Sequence, residues 1–356
     1  MKTVYVGMSG GVDSSVTAAL LQQQGYRVVG VYMKNWTQDV AGNVCPWQQD
    51  LADARATAAV LGIPFKIFNF QGQYKQLVVD YMINEYRAGR TPNPDIMCNQ
   101  EIKFSLFLKT ALADGADLIA TGHYARIKDG QLLKGVDETK DQSYFLCRID
   151  NSALDKTLMP IGELKKTEVR QLATEFGLPT AKKPDSQGIC FVGEVGVQDF
   201  LGQYVEAEPG PIKLADGTEI GQHEGAISYT LGQRKGLGVG GGKPYYVTGK
   251  DMATNTVFVT DEPRGMALFS DEFVLEDMHW LIDAPSNPIK CQVLTRYRGN
   301  IIDCTIEKSD SDYIIKMNRS ERAITPGQSA ALYDGDQLIG SGMIKSATPA
   351  LATQYY

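Results

Sequence analysis

The sequence predicts an α/β fold: a Rossmann-like domain on a parallel sheet, then a small β-rich central domain, then a C-terminal β-barrel. Three observations carry this expectation. Residues 1 to about 125 alternate β-branched apolar runs with helical stretches, the pattern of a parallel sheet covered on both faces. A glycine turn, Ser9-Gly10-Gly11-Val12-Asp13-Ser14-Ser15, joins the first apolar run to the first helical one. After about residue 200 the helical spacing stops, and short alternating runs broken by glycine take over. At 356 residues the chain has room for several domains, with boundaries expected at 1–200, 201–270 and 271–356.

The first strand is Val4-Tyr5-Val6. Adjacent glycines after it let backbone N–H groups approach a ligand that a Cβ would block. The helix that follows opens with unpaired N–H groups and the positive end of its dipole, which favours an anion such as phosphate. Ser14 and Ser15 add hydroxyls. No Gly-Lys-Ser/Thr follows, so this is not a Walker A loop, and Gly-x-Gly-x-x-Gly is also absent. Arg27 to Met33 reads as a buried parallel strand, and Asp50 to Leu61 as a helix closed by Gly62 ahead of Pro64. Pro64 to Phe70 alternates like a strand; Tyr74 to Arg87 and Glu101 to Ala113 read as helices, and Asp117 to Ala120 as a strand. Ligands on such sheets sit at the carboxyl ends of strands. The glycine loop lies at one such end and Gly122-His123-Tyr124 at another.

A hairpin is expected from Arg126 to Lys134 around Asp129-Gly130, and a helix from Lys165 to Phe176. The run Thr180 to Ser186 is loop-like. Pro209 to Gly249 is rich in glycine, as a small β domain would be. Beyond it, strands are expected at Cys291–Tyr297, Ile301–Glu307, Tyr313–Met317, Ala330–Tyr333 and Leu338–Ile344, with a hairpin at Asp334-Gly335.

Composition narrows the class. An apolar fraction of 43% and a charged fraction of 22% are those of an ordinary globular protein. No apolar run approaches a membrane span and no signal-peptide pattern opens the chain, so a cytoplasmic protein without a membrane partner is expected. Six scattered cysteines without a CxxC argue against a disulfide framework and a thiolate metal site, and no metal-ligand set is expected. A net charge of −7 means that any nucleic-acid partner must meet a local basic face.

Three further strings stand out. In Gly89-Arg90-Thr91-Pro92-Asn93-Pro94-Asp95-Ile96-Met97-Cys98-Asn99, two prolines make a rigid non-helical platform for Asp95 and Cys98. Cys98 reads either as a small core residue or, with a helix starting near Asn99, as an activated thiol. In Asp185-Ser186-Gln187-Gly188-Ile189-Cys190-Phe191, Cys190 follows a polar turn after Lys182 and Lys183, which suits an exposed thiolate; a packed cysteine fits equally. His123 in Thr121-Gly122-His123-Tyr124 reads as structural or as a contact residue.

Taken together, SGGVDSS, TPNPDIMCN, TGHYAR, KDQSYFL and DSQGICF resemble the bacterial tRNA-specific 2-thiouridylase family of the PP-loop ATP pyrophosphatase superfamily. The resemblance extends to LGQRKGLG and TRYRG in the C-terminal part of the chain, with no departure at the motif positions. It implies a catalytic PP-loop domain at 1–200 and a tRNA-contacting barrel at 271–356. It implies ATP on Gly7, Met8, Ser9, Gly10, Gly11, Val12, Asp13 and Ser14, flanked by Met33 and Gly122, with Mg2+ on the phosphates. The activity implied is adenylation of the carbon-2 oxygen of the wobble uridine, followed by sulfur transfer to give 2-thiouridine. Cys190 would carry sulfur as a persulfide, Cys98 would close a transient disulfide with it, and Asp95 would serve as acid/base. tRNA contacts are implied at Asn93, Pro94, Asp95, His123, Lys140, Asp141, Gln142, Arg296, Tyr297 and Gln328. The partners implied are tRNAs for Glu, Gln and Lys and a sulfur-donor protein, either a cysteine desulfurase or a relay protein. An ordinary strand with alternating charge is the other reading of Arg296 to Arg298. Two rivals remain: a PP-loop ligase adenylating a small molecule, which leaves both motif cysteines idle, and a non-catalytic nucleotide- or tRNA-binding protein.

Overall fold

The computed structural model describes residues 1–39, 42, 44–185, 196–240, 242–286 and 288–349. The chain forms two compact units: residues 1–80, 94–196 and 335–339 make the first, and residues 81–93, 197–334 and 340–356 the second.

The first unit is built on a parallel sheet of β1 (Thr3–Gly7), β2 (Arg27–Lys34), β3 (Phe65–Asn69), β4 (Leu118–Ala120) and β7 (Thr157–Leu158), in the order β3-β2-β1-β4-β7. The apolar runs are central because they are covered on both faces: Val4, Val6, Val31 and Ile119 are fully buried. Helix α1 (Val12–Gln23) follows β1 and buries Ala18 and Leu21 against it, and α2 (Trp47–Leu61) packs Ala54 into the same core. Gly62 closes α2 in the left-handed region at φ 64°. The order of the sheet turns at β1, with its neighbours β2 and β4 on either side. That places the end of β1 at the switch point where ligands of open α/β sheets bind.

The hairpin of β5 (Ala125–Lys128) and β6 (Gln131–Lys134) turns at Asp129 and Gly130, both at positive φ, 51° and 75°. Helix α3 (Lys166–Glu175) is capped by Glu168, whose carboxylate accepts from the Lys165 N–H at 2.7 Å. One expected boundary moves. The helix expected from Glu101 starts at Pro94, runs through a π-helical segment at Cys98–Phe107 and ends at Ala113. Proline is well placed in a first turn, where its φ is preset and no N–H is needed. The non-helical platform therefore ends at Asn93.

In the second unit, β8 (Gly210–Lys213), β9 (Glu219–His223), β10 (Tyr246–Asp251) and β11 (Thr256–Thr260) form a sheet in the order β10-β11-β8-β9 around Ile212, Val247 and Val257. After it come β12 (Phe269–Trp280), β13 (Ile289–Leu294), β14 (Ile302–Ser309), β15 (Asp312–Arg322), β16 (Ser329–Asp334) and β17 (Gln337–Pro349). These pair in the order β12-β15-β14-β13-β16-β17, and β12 pairs back onto β17, so the six strands close into a barrel. Cys291 and Cys304 stand opposite one another on β13 and β14, both buried, with their sulfurs 3.6 Å apart. The strand expected over Cys291–Tyr297 ends at Leu294. Arg296, Tyr297 and Arg298 form a turn, closed by Gly299 N–H on the Arg296 carbonyl at 3.0 Å, with Arg298 at φ 58°.

Candidate functional site

The glycine loop leaves β1 with Met8 N–H bonded to the Val31 carbonyl at 2.8 Å. Gly10 sits at φ 77°, and a Cβ there would stand 2.3 Å from the Asp50 carbonyl oxygen. Gly11 caps α1 in an extended conformation and has no side chain with which to bond the first-turn amides. The two serine hydroxyls turn inward instead: Ser14 Oγ donates to the Gly11 carbonyl at 3.2 Å and Ser15 Oγ at 2.8 Å. The free end of the helix therefore presents backbone N–H groups and its positive dipole, a fit for a polyphosphate. Gly122 closes the loop from the end of β4; a Cβ on it would lie 2.6 Å from the Ser14 nitrogen. Met33 is buried at the end of β2, its Cε 3.0 Å from where a Gly7 Cβ would be.

Asp13 puts a carboxylate at this positive end, and two groups hold it. Tyr124 donates its hydroxyl at 2.8 Å, and Lys166 Nζ reaches both oxygens at 2.7 and 2.9 Å. Burial and the Asp13 charge both push the Tyr124 hydroxyl up, so it remains a donor. Lys166 also meets Asp185 at 2.8 Å, which gathers Lys140 and Arg170 at 2.7 Å each. Burial alone would raise the Asp185 carboxyl, but the hydrogen bonds from Lys140 and Lys166 bring it down to about 2. Arg170 donates further to the carbonyls of Ala181 and Lys183, and the Lys183 ammonium pairs with Asp50 and Asp53 at 2.7 and 2.5 Å. Lys183 is thus spent on α2 rather than held as a basic approach. Cys190 lies outside the described residues, as do the other residues from Ser186 to Val195.

Cys98 is fully buried at the start of the π-helical segment. Beside it Asn99 donates to the Phe145 carbonyl at 3.0 Å while its own amide oxygen finds no partner among the described residues. Asp95 lies in the first turn of the same helical stretch, partly exposed. His123 is 8% exposed, accepts or donates through Nδ1 to Thr121 Oγ1 at 2.8 Å, and packs on Phe104. Burial, helped by the charge of Lys103, holds its pKa well below the ordinary value, so the ring is neutral at pH 7. Asp141 and Gln142 are committed to local bonds. Asp141 accepts from Gly135 N–H at 2.8 Å and Ser143 Oγ at 2.8 Å, and Gln142 accepts from Tyr124 N–H at 3.0 Å.

In the second unit, Arg296 reaches Glu321 at 2.9 Å and the Arg322 carbonyl at 3.1 Å, with its side chain 43% exposed. Arg298 lies over the Tyr297 ring, 5.2 Å from its centre. Gln328 donates to the carbonyls of Thr91 and Pro92, immediately before Asn93. Sequence reasoning did not single out Lys166 or the Asp185 carboxylate for this site, and passed over Asn35. Asn35 follows β2, is 1% exposed, and among the described residues neither of its amide atoms has a partner.

These features define a nucleotide-loop α/β protein whose chain continues into two β modules, and the chain's relatives agree. A tRNA methyl transferase HUP domain model matches residues 2–194, a tRNA methyl transferase PRC-barrel domain model residues 198–261, and an aminomethyltransferase beta-barrel domain model residues 270–344. The tRNA-specific 2-thiouridylase MnmA of Ralstonia pickettii (strain 12J) is 48% identical over 98% of each chain. That of Serratia proteamaculans (strain 568) is 49% identical over 97% of each. That of Cupriavidus pinatubonensis is 48% identical over 97% of this chain and 99% of its own. The chain belongs to the tRNA-specific 2-thiouridylase MnmA family. Among solved structures, NMN synthetase from Francisella tularensis is 17% identical, covers 52% of this chain and 66% of that one, and has a TM-score of 0.35, too distant to add to this.

Proposed function

We propose that this enzyme uses ATP to replace the carbon-2 oxygen of the wobble uridine of tRNA with sulfur, giving 2-thiouridine. One observation carries the reading: an uncapped, glycine-gated helix N-terminus at the switch point of the sheet, in a chain about half identical to 2-thiouridylases along nearly its whole length. The triphosphate sits on Gly7 to Ser14, with Met33 and Gly122 flanking the nucleotide. The carbon-2 oxygen attacks the α-phosphorus and pyrophosphate leaves. This matters because a urea-like carbonyl is a poor electrophile until its oxygen becomes a good leaving group. The outer sulfur of a Cys190 persulfide then attacks carbon 2 and AMP departs. Cys98 attacks the inner sulfur, breaking the persulfide bond and closing a Cys98–Cys190 disulfide, which a dithiol reductant must reopen. Asp95 moves the proton beside the base. Buried Cys98 has to become reachable once tRNA is bound, so its alkylation by iodoacetamide should rise when tRNA is added.

Among the described residues no three acid, histidine or cysteine side chains converge as a metal cage. Mg2+ is therefore proposed as carried by the nucleotide's phosphate oxygens, where it would neutralise charge. The base is read from a loop, where extrusion costs less than from a duplex. Asn93 to Asp95, His123, Lys140 to Gln142, Arg296 and Tyr297 are proposed on the RNA side, with tRNAs for Glu, Gln and Lys as acceptors. Sulfur comes from a cysteine desulfurase or a relay protein. No helix among the described residues is long and apolar enough to cross a membrane, and a cytoplasmic site of action is proposed. Modules 1–200, 201–270 and 271–356 are proposed as the catalytic, central and RNA-contacting parts.

Nucleoside mass spectrometry of tRNA from cells lacking the gene tests the reading. Wobble 2-thiouridine should disappear, and return with the wild-type gene but not with Cys98→Ser or Cys190→Ser. Unchanged 2-thiouridine in the deletion strain would refute it. The same serine variants should still release pyrophosphate with ATP and tRNA, which a small-molecule ligase would not do.

A further inference from the structure

The connection between β15 and β16, residues 323–328, bears on the segment before Asn93. The Gln328 amide nitrogen donates to two backbone oxygens: Nε2 lies 2.7 Å from the Thr91 carbonyl and 3.2 Å from that of Pro92. Thr91 N–H donates in return to the Pro326 carbonyl at 2.9 Å. Gly327, at φ 91°, brings its backbone against the same segment. A Cβ on it would stand 2.8 Å from Arg90 Cβ and 2.9 Å from the Thr91 nitrogen. The connection is itself fastened to β17, through Gly327 N–H to the Ile344 carbonyl at 2.9 Å and Ile344 N–H to the Gln328 carbonyl at 2.8 Å. Residues 90–92 therefore lie in a cradle of three hydrogen bonds and one glycine contact, and Pro92 is buried in it.

We propose that Gln328 and Gly327 are positioning residues that set the backbone from which Asn93 and Asp95 are presented to the target base. The cradle stands on geometry alone; its bearing on catalysis rests on the 2-thiolation reading. An amide nitrogen engaged by Thr91 and Pro92 cannot turn to RNA without releasing the segment. The family resemblance made Gln328 an RNA contact; its hydrogen bonds make it a clamp. A segment held this way keeps a near-attack geometry, and loss of such placement by about 1 Å costs on the order of a hundredfold in rate.

The test uses the full-length enzyme with purified tRNA, reading ATP-dependent pyrophosphate release for wild type, Gln328→Ala and Gly327→Ala. Positioning predicts that kcat falls about tenfold or more while KM for tRNA stays within roughly twofold. A rise in KM with kcat unchanged would identify Gln328 as an RNA contact and overturn the proposal. Hydrogen exchange supplies a readout that needs no activity. The Thr91 amide should exchange about tenfold faster in Gln328→Ala, with amides of β1 unchanged as an internal control for folding. An unaltered Thr91 rate would sink the cradle. Should the wild type release no pyrophosphate with tRNA, the 2-thiolation reading fails, and the exchange result still decides on the cradle.

Discussion

Gly10 and Gly11 are neighbours in the phosphate loop and are glycine for different reasons. Gly10 holds a positive φ, and its missing Cβ leaves space for the Asp50 carbonyl. Gly10→Ala should cost about 2–3 kcal/mol of stability, visible as a lowered Tm, and weaken ATP binding as the loop moves. Gly11 has ordinary extended backbone, and the nearest atom to a Cβ there is Ser9 Oγ at 3.5 Å. Gly11→Ala should leave Tm nearly unchanged while obstructing the approach of phosphate, so ATP affinity falls without a stability loss. Calorimetric titration beside thermal melts separates the two. Lys166→Met removes the cation that balances Asp13 at the phosphate end of α1. ATP affinity should then drop about tenfold, since one desolvated ion pair at such a site is worth on the order of 1–2 kcal/mol. The glycines were legible in the sequence because strand, turn and helix are adjacent. The lysine was not: its partner Asp13 is 153 positions away, and no spacing rule links them.

Strand β10 carries an unusual lysine. Lys250 donates to the Tyr229 carbonyl at 2.8 Å, and burial lowers its pKa from 10.5 to about 8. The folded chain therefore binds fewer protons than the unfolded chain between about pH 8 and 10.5. Stability should rise with pH across that window and be nearly independent of this residue above it. Urea melts at pH 7.5 and 9.5 should show a gain for wild type that Lys250→Met lacks; equal gains would refute the assignment. Strands and helices were readable here wherever burial imposes a period. Boundaries were not readable where one backbone bond decides them. The helix through Asp95 and Cys98 starts at Pro94, because a first-turn proline costs nothing. The Arg296-Tyr297-Arg298 stretch leaves β13 for a turn closed by Gly299, although its residues alternate like a strand.

Across the molecule the net charge of −7 leaves little room for a broad phosphate-binding surface. If RNA is held by a few cations such as Lys140, Arg296 and Arg298, the slope of log affinity for tRNA against log salt should be about −2 to −4. A slope near −10 would demand a basic face that this chain does not suggest. The three-part architecture was visible in the sequence because the loss of helical period near residue 200 is a property of long stretches. The C-terminal barrel was expected from its short alternating strands, but the pair that closes it was not, since β12 meets β17 and neither strand announces its partner.

The two cysteines facing each other across β13 and β14 complicate chemical trapping of the reaction. Their sulfurs already lie 3.6 Å apart, so mild oxidants such as diamide should couple them even in enzyme whose motif cysteines have been replaced. A loss of two mass units, or of two titratable thiols, therefore cannot by itself report a bridge formed during turnover. Assignment needs peptide mapping, or a Cys291→Ala/Cys304→Ala background in which only the motif thiols and the buried Cys45 and Cys147 remain to be counted.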